Sequence, residues 1–394
     1  MTSIGLDLDW PFFDTRHRQL GRELETWSAA NLAAAHTDDV EAEVRALVTK
    51  LGHAGYLGLT IADGALDVRS LAIARSTLAY HSGLADFAFA MQGLGSGAIS
   101  LFGTARQRAQ YLSQVASGQS IAAFAMTEPA TGSDAANIAT TAIRHPGTGS
   151  TAGADDYVIN GEKTYISNGA IADVITLFAR TGEAEGARGI SAFILPGDTP
   201  GLAVAERIEA IAPHPLARLT LTDVRLPASA MLGLPGEGFK VAMQTLTLFR
   251  VTVGAAALGF ARRALDEAIK FSTTRKLGNG TLADNAVTQA NLAEMALAID
   301  ASALLIARAA WAQDKPEIAG DDNRRAAAMA KLHATEQAQK VIDMAVQLHG
   351  GAGVTRGSMV ESLYREIRSL RIYEGASEVQ RVIIARDLLK EHSK

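Results

Sequence analysis

Apolar positions recur at helical spacing through residues 1 to about 118, where Ala and Leu dominate and Gly52 and Gly55 mark breaks. The run Leu94, Ile99, Phe102 stops at Gly103, and Thr104 then stands as an N-cap before a polar helix carrying Tyr111 and Leu112. From residue 119 to about 230 the pattern changes to short β-prone runs bounded by Gly, Pro and Asn. These are Ile121 to Met126, Tyr157 to Asn160, Val174 to Ala179, Ile190 to Leu195 and Leu202 to Ala205. The segment Leu219-Thr220-Leu221-Thr222 alternates strictly, as a half-buried strand does. Asn160-Gly161 lies between two such runs and predicts a hairpin, because both residues tolerate positive φ. Six or more short strands without intervening helices predict a small barrel or sandwich. Helices return from Gly236. Leu292, Met295, Ile299, Ala303 and Ile306 form one apolar stripe, and Met329, Leu332, Val341, Ala345 and Leu348 another, which predicts a helix bundle. Mobile loops are expected at Gly147 to Ala154 and at Lys315 to Asp322. The expected class is therefore α+β and multidomain: an all-α domain over 1–118, a β-barrel-like domain over 119–232, and a four-helix bundle over 233–394.

The chain of 394 residues suits two or three domains at ~100–200 residues each. With 48% hydrophobic and 20% charged residues it reads as an ordinary globular protein. No unbroken apolar stretch reaches the ~18 residues of a transmembrane helix. Met1 to Trp10 holds acids and no basic residue, unlike a signal peptide. The expectation is a cytoplasmic protein without membrane insertion. A net charge of -5 and the lack of a Lys/Arg cluster argue against nucleic acid as a partner. There is no cysteine, which excludes disulfides, thiolate nucleophiles and zinc–thiolate sites. The nine histidines have no metal-ligand spacing, so no metal is expected. Demanding chemistry would need an organic cofactor or plain acid and base groups.

Four segments carry candidate chemistry. The run from Phe124 to Asp134 follows a predicted strand and includes Met126, Thr127, Glu128, Pro129, Thr131, Gly132 and Ser133. Its hydroxyls and exposed N–H groups suit a flat, polar-edged ring or a phosphate, or simply a capped turn opening a short helix. The run from Asn160 to Gly169, with Tyr165, Ile166 and Ser167, reads as a ligand-facing edge or as a plain hairpin. Gln347-Leu348-His349-Gly350-Gly351-Ala352-Gly353 resembles a nucleotide loop. It follows a predicted helix rather than a strand, so the glycines read equally as a helix C-cap. In the run from Tyr364 to Gln380, Glu374 sits between Tyr373 and Gly375, downstream of Arg365, Arg368 and Arg371: a buried base, or a solvated charge at a helix end.

Each signal alone is weak, but their order and spacing together resemble the acyl-CoA dehydrogenase family, from about Gly52 to Leu389. Phe124 to Asp134 is similar to its flavin-side loop, Lys163 to Gly169 to its second flavin strand, and Arg275 to its helix arginine. Gln347 to Gly353 is similar to its FAD-diphosphate loop, and Ile372 to Gln380 to its catalytic segment. The resemblance implies FAD as cofactor and an acyl thioester as substrate. A carboxylate removes the α-proton, and a hydride leaves the β-carbon for flavin N5, giving the trans-2-enoyl thioester. Charge developing on the carbonyl oxygen is met in the family by a flavin ribityl hydroxyl and by the backbone N–H of the base. By this likeness Glu374 is the base. Tyr373 desolvates it, and Gly375 makes room for the thioester. Phe124, Met126, Thr127, Gly132, Ser133, Tyr165, Ile166, Ser167, Ala376 and Glu378 are implied on the flavin side. Arg275, Gln347, Leu348, Gly350 and Gly351 are implied at the diphosphate, across a subunit boundary. Ser133, Thr247, Arg250, Tyr373 and Gly375 are implied near the substrate. The resemblance further implies a homotetramer built as a dimer of dimers, with an electron-transferring flavoprotein as acceptor.

Some relatives carry the base one residue before the helix arginine; Phe249 stands there and cannot act as one. Other positions depart from the family. Arg275-Lys276-Leu277-Gly278-Asn279 lacks a Phe, Thr247 replaces an Asp, and Ala376 replaces a Thr. The substrate-side loop reads His214-Pro215-Leu216-Ala217-Arg218. These changes leave the carrier open between CoA and an acyl carrier protein. Two other readings stand beside dehydrogenation: a flavin oxidase passing electrons to oxygen, and a non-catalytic flavin-binding relative. Gly93, Gly95, Gly97 and Ala98 would line an acyl pocket or merely pack helices.

Overall fold

The computed structural model describes residues 5–32, 39–145, 155–319 and 323–392. The N-terminal part holds α1 (Thr15–Asn31), α2 (Val40–His53), α3 (Val68–His81), α4 (Gly83–Phe102) and α5 (Ala105–Ala116). Eight strands follow: β1 (Ala122–Ala125), β2 (Thr141–His145), β3 (Asp156–Ser167), β4 (Val174–Arg180), β5 (Ile190–Pro196), β6 (Leu202–Ile208), β7 (Leu216–Pro227) and β8 (Met231–Leu232). Then come α6 (Gly238–Thr274), the short ribbon β9 (Lys276–Leu277) and β10 (Gly280–Thr281), and α7 (Ala286–Asp314). The chain ends with α8 (Pro316–Ala319), α9 (Asn323–His349), α10 (Met359–Leu370) and α11 (Ser377–His392). Two compact units divide it: residues 37–66 with 87–246, and residues 1–36, 67–86 and 247–394.

In the first of these units the strands form one sheet in the order β6-β7-β3-β2-β4-β5-β8, with β1 parallel to β4. One face buries Ile159, Leu177, Phe193 and Leu219. The other buries Phe178, Ile190 and Ile194 against Ile99, Leu112 and Val115 of α4 and α5. That is how alternate residues of two-sided strands divide between two apolar layers. Thr104 caps α5 as expected: its hydroxyl accepts from Gln107 N at 3.2 Å, and its own N–H donates to Gln107 Oε1 at 2.7 Å.

The hairpin expected at Asn160-Gly161 does not form. Both residues lie inside β3, which slips register against β7 between Ile159 and Gly161, the mark of a bulge. Asp223 N donates to Asn160 Oδ1 at 2.8 Å, so the amide that would seed a turn serves the neighbouring strand instead. Gly161, at φ 154°, lies so close to β2 that a Cβ there would come within 2.5 Å of Thr140 Oγ1.

The second unit is a helical bundle. Its core joins Val68 and Ala72 of α3 to Val251 and Leu258 of α6, Met295 and Ile306 of α7, Val341 and Ile342 of α9, and Leu363 and Ile367 of α10. Both apolar stripes expected from the sequence lie on these helices. The loop expected at Lys315 to Asp322 is in part α8; residues 320–322, and the loop expected at Gly147 to Ala154, lie outside the described residues. Polar residues such as Arg250 and Asp300 interrupt every long apolar run, as expected, yet two helices are still long and apolar enough on average to cross a membrane. α6 and α7 both qualify by composition, α6 with 72% of its most apolar window buried in the protein and α7 with 33%.

Candidate active site

In the bundle unit, α10 ends at Leu370 and α11 begins at Ser377, and the six residues 371–376 make the turn between them. Glu336 on α9 closes its base. Its carboxylate accepts from Arg371 Nη2 at 2.8 Å and from Ser377 Oγ at 2.5 Å. At the apex Glu374 and Gly375 both have positive φ, 53° and 89°. For a glutamate that backbone is costly, ~1–3 kcal/mol, and persists only where the surroundings impose it. Here three donors do so. Arg250 Nε reaches Glu374 O at 3.3 Å, Lys331 Nζ reaches Gly375 O at 2.8 Å, and Gln380 Nε2 reaches Gly375 O at 2.8 Å and Glu374 O at 3.4 Å.

Oε2 of Glu374 is shut off from solvent and has no hydrogen-bond partner among the described residues. Burial pushes the carboxyl above the usual carboxylate range. The charges of Arg75, Lys331 and Arg250 pull it back, and Asp86 adds to the rise. Arg75 is itself committed: Nε and Nη2 grip Asp86 at 2.9 and 2.7 Å in a fully buried pair. Tyr373 packs against the bundle core next to Glu374. A carboxyl with one oxygen shut off from solvent, unpartnered among the described residues, and raised by burial is equipped to accept a proton. Thr247 and Arg250 both lie on α6, and Arg250 is 5% exposed.

In the sheet unit, Thr127 to Asp134 leaves β1 as a loop pinned from beneath. Glu128 Oε1 accepts from Lys163 Nζ at 2.8 Å and Thr140 N at 3.0 Å, and Oε2 from Ala139 N at 2.5 Å. Lys163, with no solvent exposure, also donates to Met126 O at 3.2 Å. Thr164 N donates to Thr127 O at 2.9 Å, so the segments around Thr127 and Tyr165 are tied together. Burial alone would raise the Glu128 carboxyl, but Lys163, Thr140 and Ala139 hold it below its ordinary value; burial pushes the Lys163 ammonium down to about 8.

The surface above this anchor suits a flat ring with polar edges. Thr131 Oγ1 is buried without a partner among the described residues, Tyr165 is 63% exposed in a left-handed backbone at φ 56°, and a Cβ on Gly132 would meet open space. Ser133 is exposed and Ser167 half-buried. Phe124, Met126 and Ile166 turn their side chains into the two cores of the sheet, which leaves their backbone for any ligand contact. In the bundle unit Gly350 and Gly351 follow the end of α9 with open space where a Cβ would stand, and Gly350 has φ 57°. The cap reading of this loop holds, since Gly350 in the left-handed region ends the helix. Gln347 and Arg275 are exposed, Leu348 is half-buried, Ala376 is half-buried two residues after Glu374, and Glu378 faces solvent. Gly95 is a packing glycine: a Cβ there would lie 2.6 Å from Ala123 N.

Reasoning from sequence missed Arg75, Asp86 and Lys331 altogether. The available signal was a charge in the middle of an apolar helical run, as in Leu71-Ala72-Ile73-Ala74-Arg75 and Ala327-Ala328-Met329-Ala330-Lys331.

Models of the acyl-CoA dehydrogenase N-terminal, middle and C-terminal domains match residues 14–119, 123–224 and 236–389. The human mitochondrial short-chain specific acyl-CoA dehydrogenase is 37% identical over 370 residues, 91% of this chain and 86% of that one. A subunit of the caffeyl-CoA reductase-Etf complex of Acetobacterium woodii is 32% identical over 390 residues, 96% of this chain and 100% of that one. The structure of a glutaryl-CoA dehydrogenase from Mycobacterium smegmatis in complex with FADH2 superposes with a TM-score of 0.85 at 27% identity, covering 98% of each chain. The order of N-terminal helices, middle sheet and C-terminal helices is that of the same fold. By three successive domain matches and by its full-length relatives, the chain belongs to the acyl-CoA dehydrogenase family of FAD-dependent oxidoreductases.

Proposed function

We propose that the protein dehydrogenates a saturated acyl thioester at its α and β carbons, with Glu374 as the base that takes the α-proton. The observation that carries this reading is the Glu374 carboxyl itself: buried, unpartnered at Oε2, and raised by its surroundings. FAD, when bound, supplies the acceptor for the β-hydride. Thr127, Gly132, Ser133, Tyr165 and Ser167 would hold the flavin end. Arg275, Gln347, Gly350 and Gly351 would hold the diphosphate. Arg250 would fix the base from behind, and Thr247, Tyr373 and Gly375 would adjoin the substrate. The carrier is CoA or an acyl carrier protein. An electron-transferring flavoprotein is the proposed acceptor, supported by the Etf named in the complex of the Acetobacterium woodii relative. A homotetramer in the cytoplasm, a dimer of dimers, is the proposed form. Leu297 and Leu304 on α7 and Val382 and Leu389 on α11 are exposed apolar residues that such an assembly would cover.

The test is the visible spectrum of the purified protein during anaerobic addition of acyl-CoA and acyl-carrier thioesters. A flavin band that bleaches with one thioester in the native protein, and persists in Glu374→Gln with flavin content unchanged, establishes reaction and base together. A band that bleaches equally in both overturns the assignment of Glu374. Oxygen uptake after bleaching separates an oxidase from a dehydrogenase.

A further inference from the structure

Lys331 lies mid-way along α9 with no solvent exposure. Among the described residues it forms no ion pair, and its Nζ donates to Gly375 O at 2.8 Å. Keeping an ammonium dry without a carboxylate in contact is costly, and an apolar side chain of similar length would pack there at least as well. The neighbours Ala327, Ala328 and Ala330 are such apolar residues. The charge at this position therefore has a use other than packing.

We propose that Lys331 is a positioning residue for Glu374: its bond to the Gly375 carbonyl and its charge hold the left-handed turn that carries the base and keep the base ionisable. The proposal rests on Glu374 being the base. The peptide plane fixes each N–H opposite its C=O. A donor held on the Gly375 carbonyl, with Arg250 and Gln380 on the neighbouring one, therefore sets the orientation of the whole turn.

The surrounding charges single Lys331 out. Arg75 on α3 is answered by Asp86 on α4. On α9, Glu336 is taken by Arg371 and Ser377; on α11, exposed Glu378 pairs with Arg381. Among the described residues neither Arg250 on α6 nor Lys331 on α9 forms an ion pair, and the carboxylate whose charge acts most on each is Glu374. Burial pushes the Lys331 ammonium down to about 8, with Glu374 pulling the other way, so it is charged at neutral pH. The Lys331 charge favours the ionised Glu374 carboxyl, and removing it moves the carboxyl further up.

The experiment compares full-length, flavin-loaded Lys331→Met and Lys331→Arg with the native protein. The first reading is the infrared band of the protonated carboxyl against pH, assigned by its loss in Glu374→Gln. The second is the rate of flavin bleaching by whichever thioester bleaches the native protein. In Lys331→Met the carboxyl midpoint moves upward. Bleaching slows at pH values below the new midpoint, by up to about tenfold for each pH unit the midpoint has moved, and recovers above it. Substrate affinity changes by less than about twofold, and the thermal midpoint does not fall, since an unpaired buried charge has been removed. Lys331→Arg restores the native carboxyl midpoint and most of the rate. An unshifted midpoint in Lys331→Met, or a rate loss equal at every pH with reduced thermal stability, overturns the proposal. If Lys331→Met does not fold, Lys331→Arg decides, because a raised midpoint with the charge retained contradicts it. If no thioester bleaches the native protein, the reading of Glu374 as base has failed, and the infrared titration still settles the role of Lys331.

Discussion

Replacing Lys163 by Met tests the anchor beneath the flavin-side loop. The substitution removes a fully buried ammonium and leaves Glu128, 5% exposed, with only Thr140 N and Ala139 N as donors. The cost has a chemical ceiling, because the carboxyl can take up a proton instead of staying charged. From an ordinary value of 4.5, doing so at pH 7 spans about 2.5 pH units at about 1.4 kcal/mol each, or about 3.5 kcal/mol. That lies within the ~3–5 kcal/mol typical of a broken buried pair. If the 394 residues unfold together, an unfolding entropy of ~2.1 cal/mol/K per residue turns it into a fall of about 4 °C in Tm. The pH dependence is more telling than the size. The variant's folded carboxyl lies above its unfolded value, so the deficit is full above the folded value. It shrinks as pH falls toward 4.5, to about 0.7 kcal/mol at pH 5. In the native protein the same carboxyl is held below 4.5 and stays ionised at pH 5. Thermal unfolding of both proteins, followed by circular dichroism at pH 7.5 and pH 5.0, reads the difference directly. Flavin retention should fall with stability at the higher pH. A gap of equal size at the two pH values, or none at pH 7.5, would refute the view that Lys163 is there to neutralise Glu128.

Two further outcomes follow from the packing and the charges. Gly95→Ala forces a methyl against the backbone of Ala122 and Ala123; a loss of about 1–3 kcal/mol in denaturant unfolding is expected, and a neutral result would mean α4 can shift away from β1. Asp86→Asn strands the buried Arg75 guanidinium and should cost ~3–5 kcal/mol. Because the Asp86 charge raises the Glu374 carboxyl, the same variant should extend flavin bleaching to lower pH, and an unchanged pH profile would contradict that coupling.

The order of helices, strands and helices was legible because the apolar period changes along the chain, and Thr104 announced its helix start by residue type alone. Asn160-Gly161 misled because turn propensity is local, whereas the partner that captures Asn160 is Asp223, 63 positions away. β2 escaped notice because Thr141-Ala142-Ile143-Arg144-His145 is polar on one side and short. Glu374 was found through resemblance; by residue type alone it reads as a helix-end charge. Its setting was not legible. Arg75, Asp86, Arg250 and Lys331 come from four helices spread over some 250 positions, and only tertiary packing gathers them. The backbone of the apex was equally hidden, since nothing in Tyr373-Glu374-Gly375 requires a glutamate at φ 53°.

The interleaving of the two units has a consequence for synthesis. Every residue of α3 from Val68 to Tyr80 ends up buried, yet the bundle segments that cover it, on α6 and α7, begin only after position 246. At roughly 5–20 residues per second a ribosome needs on the order of 10–30 s to make them. Throughout that interval residues 87–246 can complete their own sheet while α3 waits with its interior surface bare. Arg75 is provided for early, because Asp86 follows it by eleven positions and can neutralise it within the same nascent segment. Ile73 can pack early against Phe13 and Leu20, but Val68, Ala72 and Ala79 have no such local remedy. A chain stalled near residue 246 would therefore carry a finished sheet beside a helix meant for the inside, and α3 is the segment that chaperones and proteases would be expected to meet first.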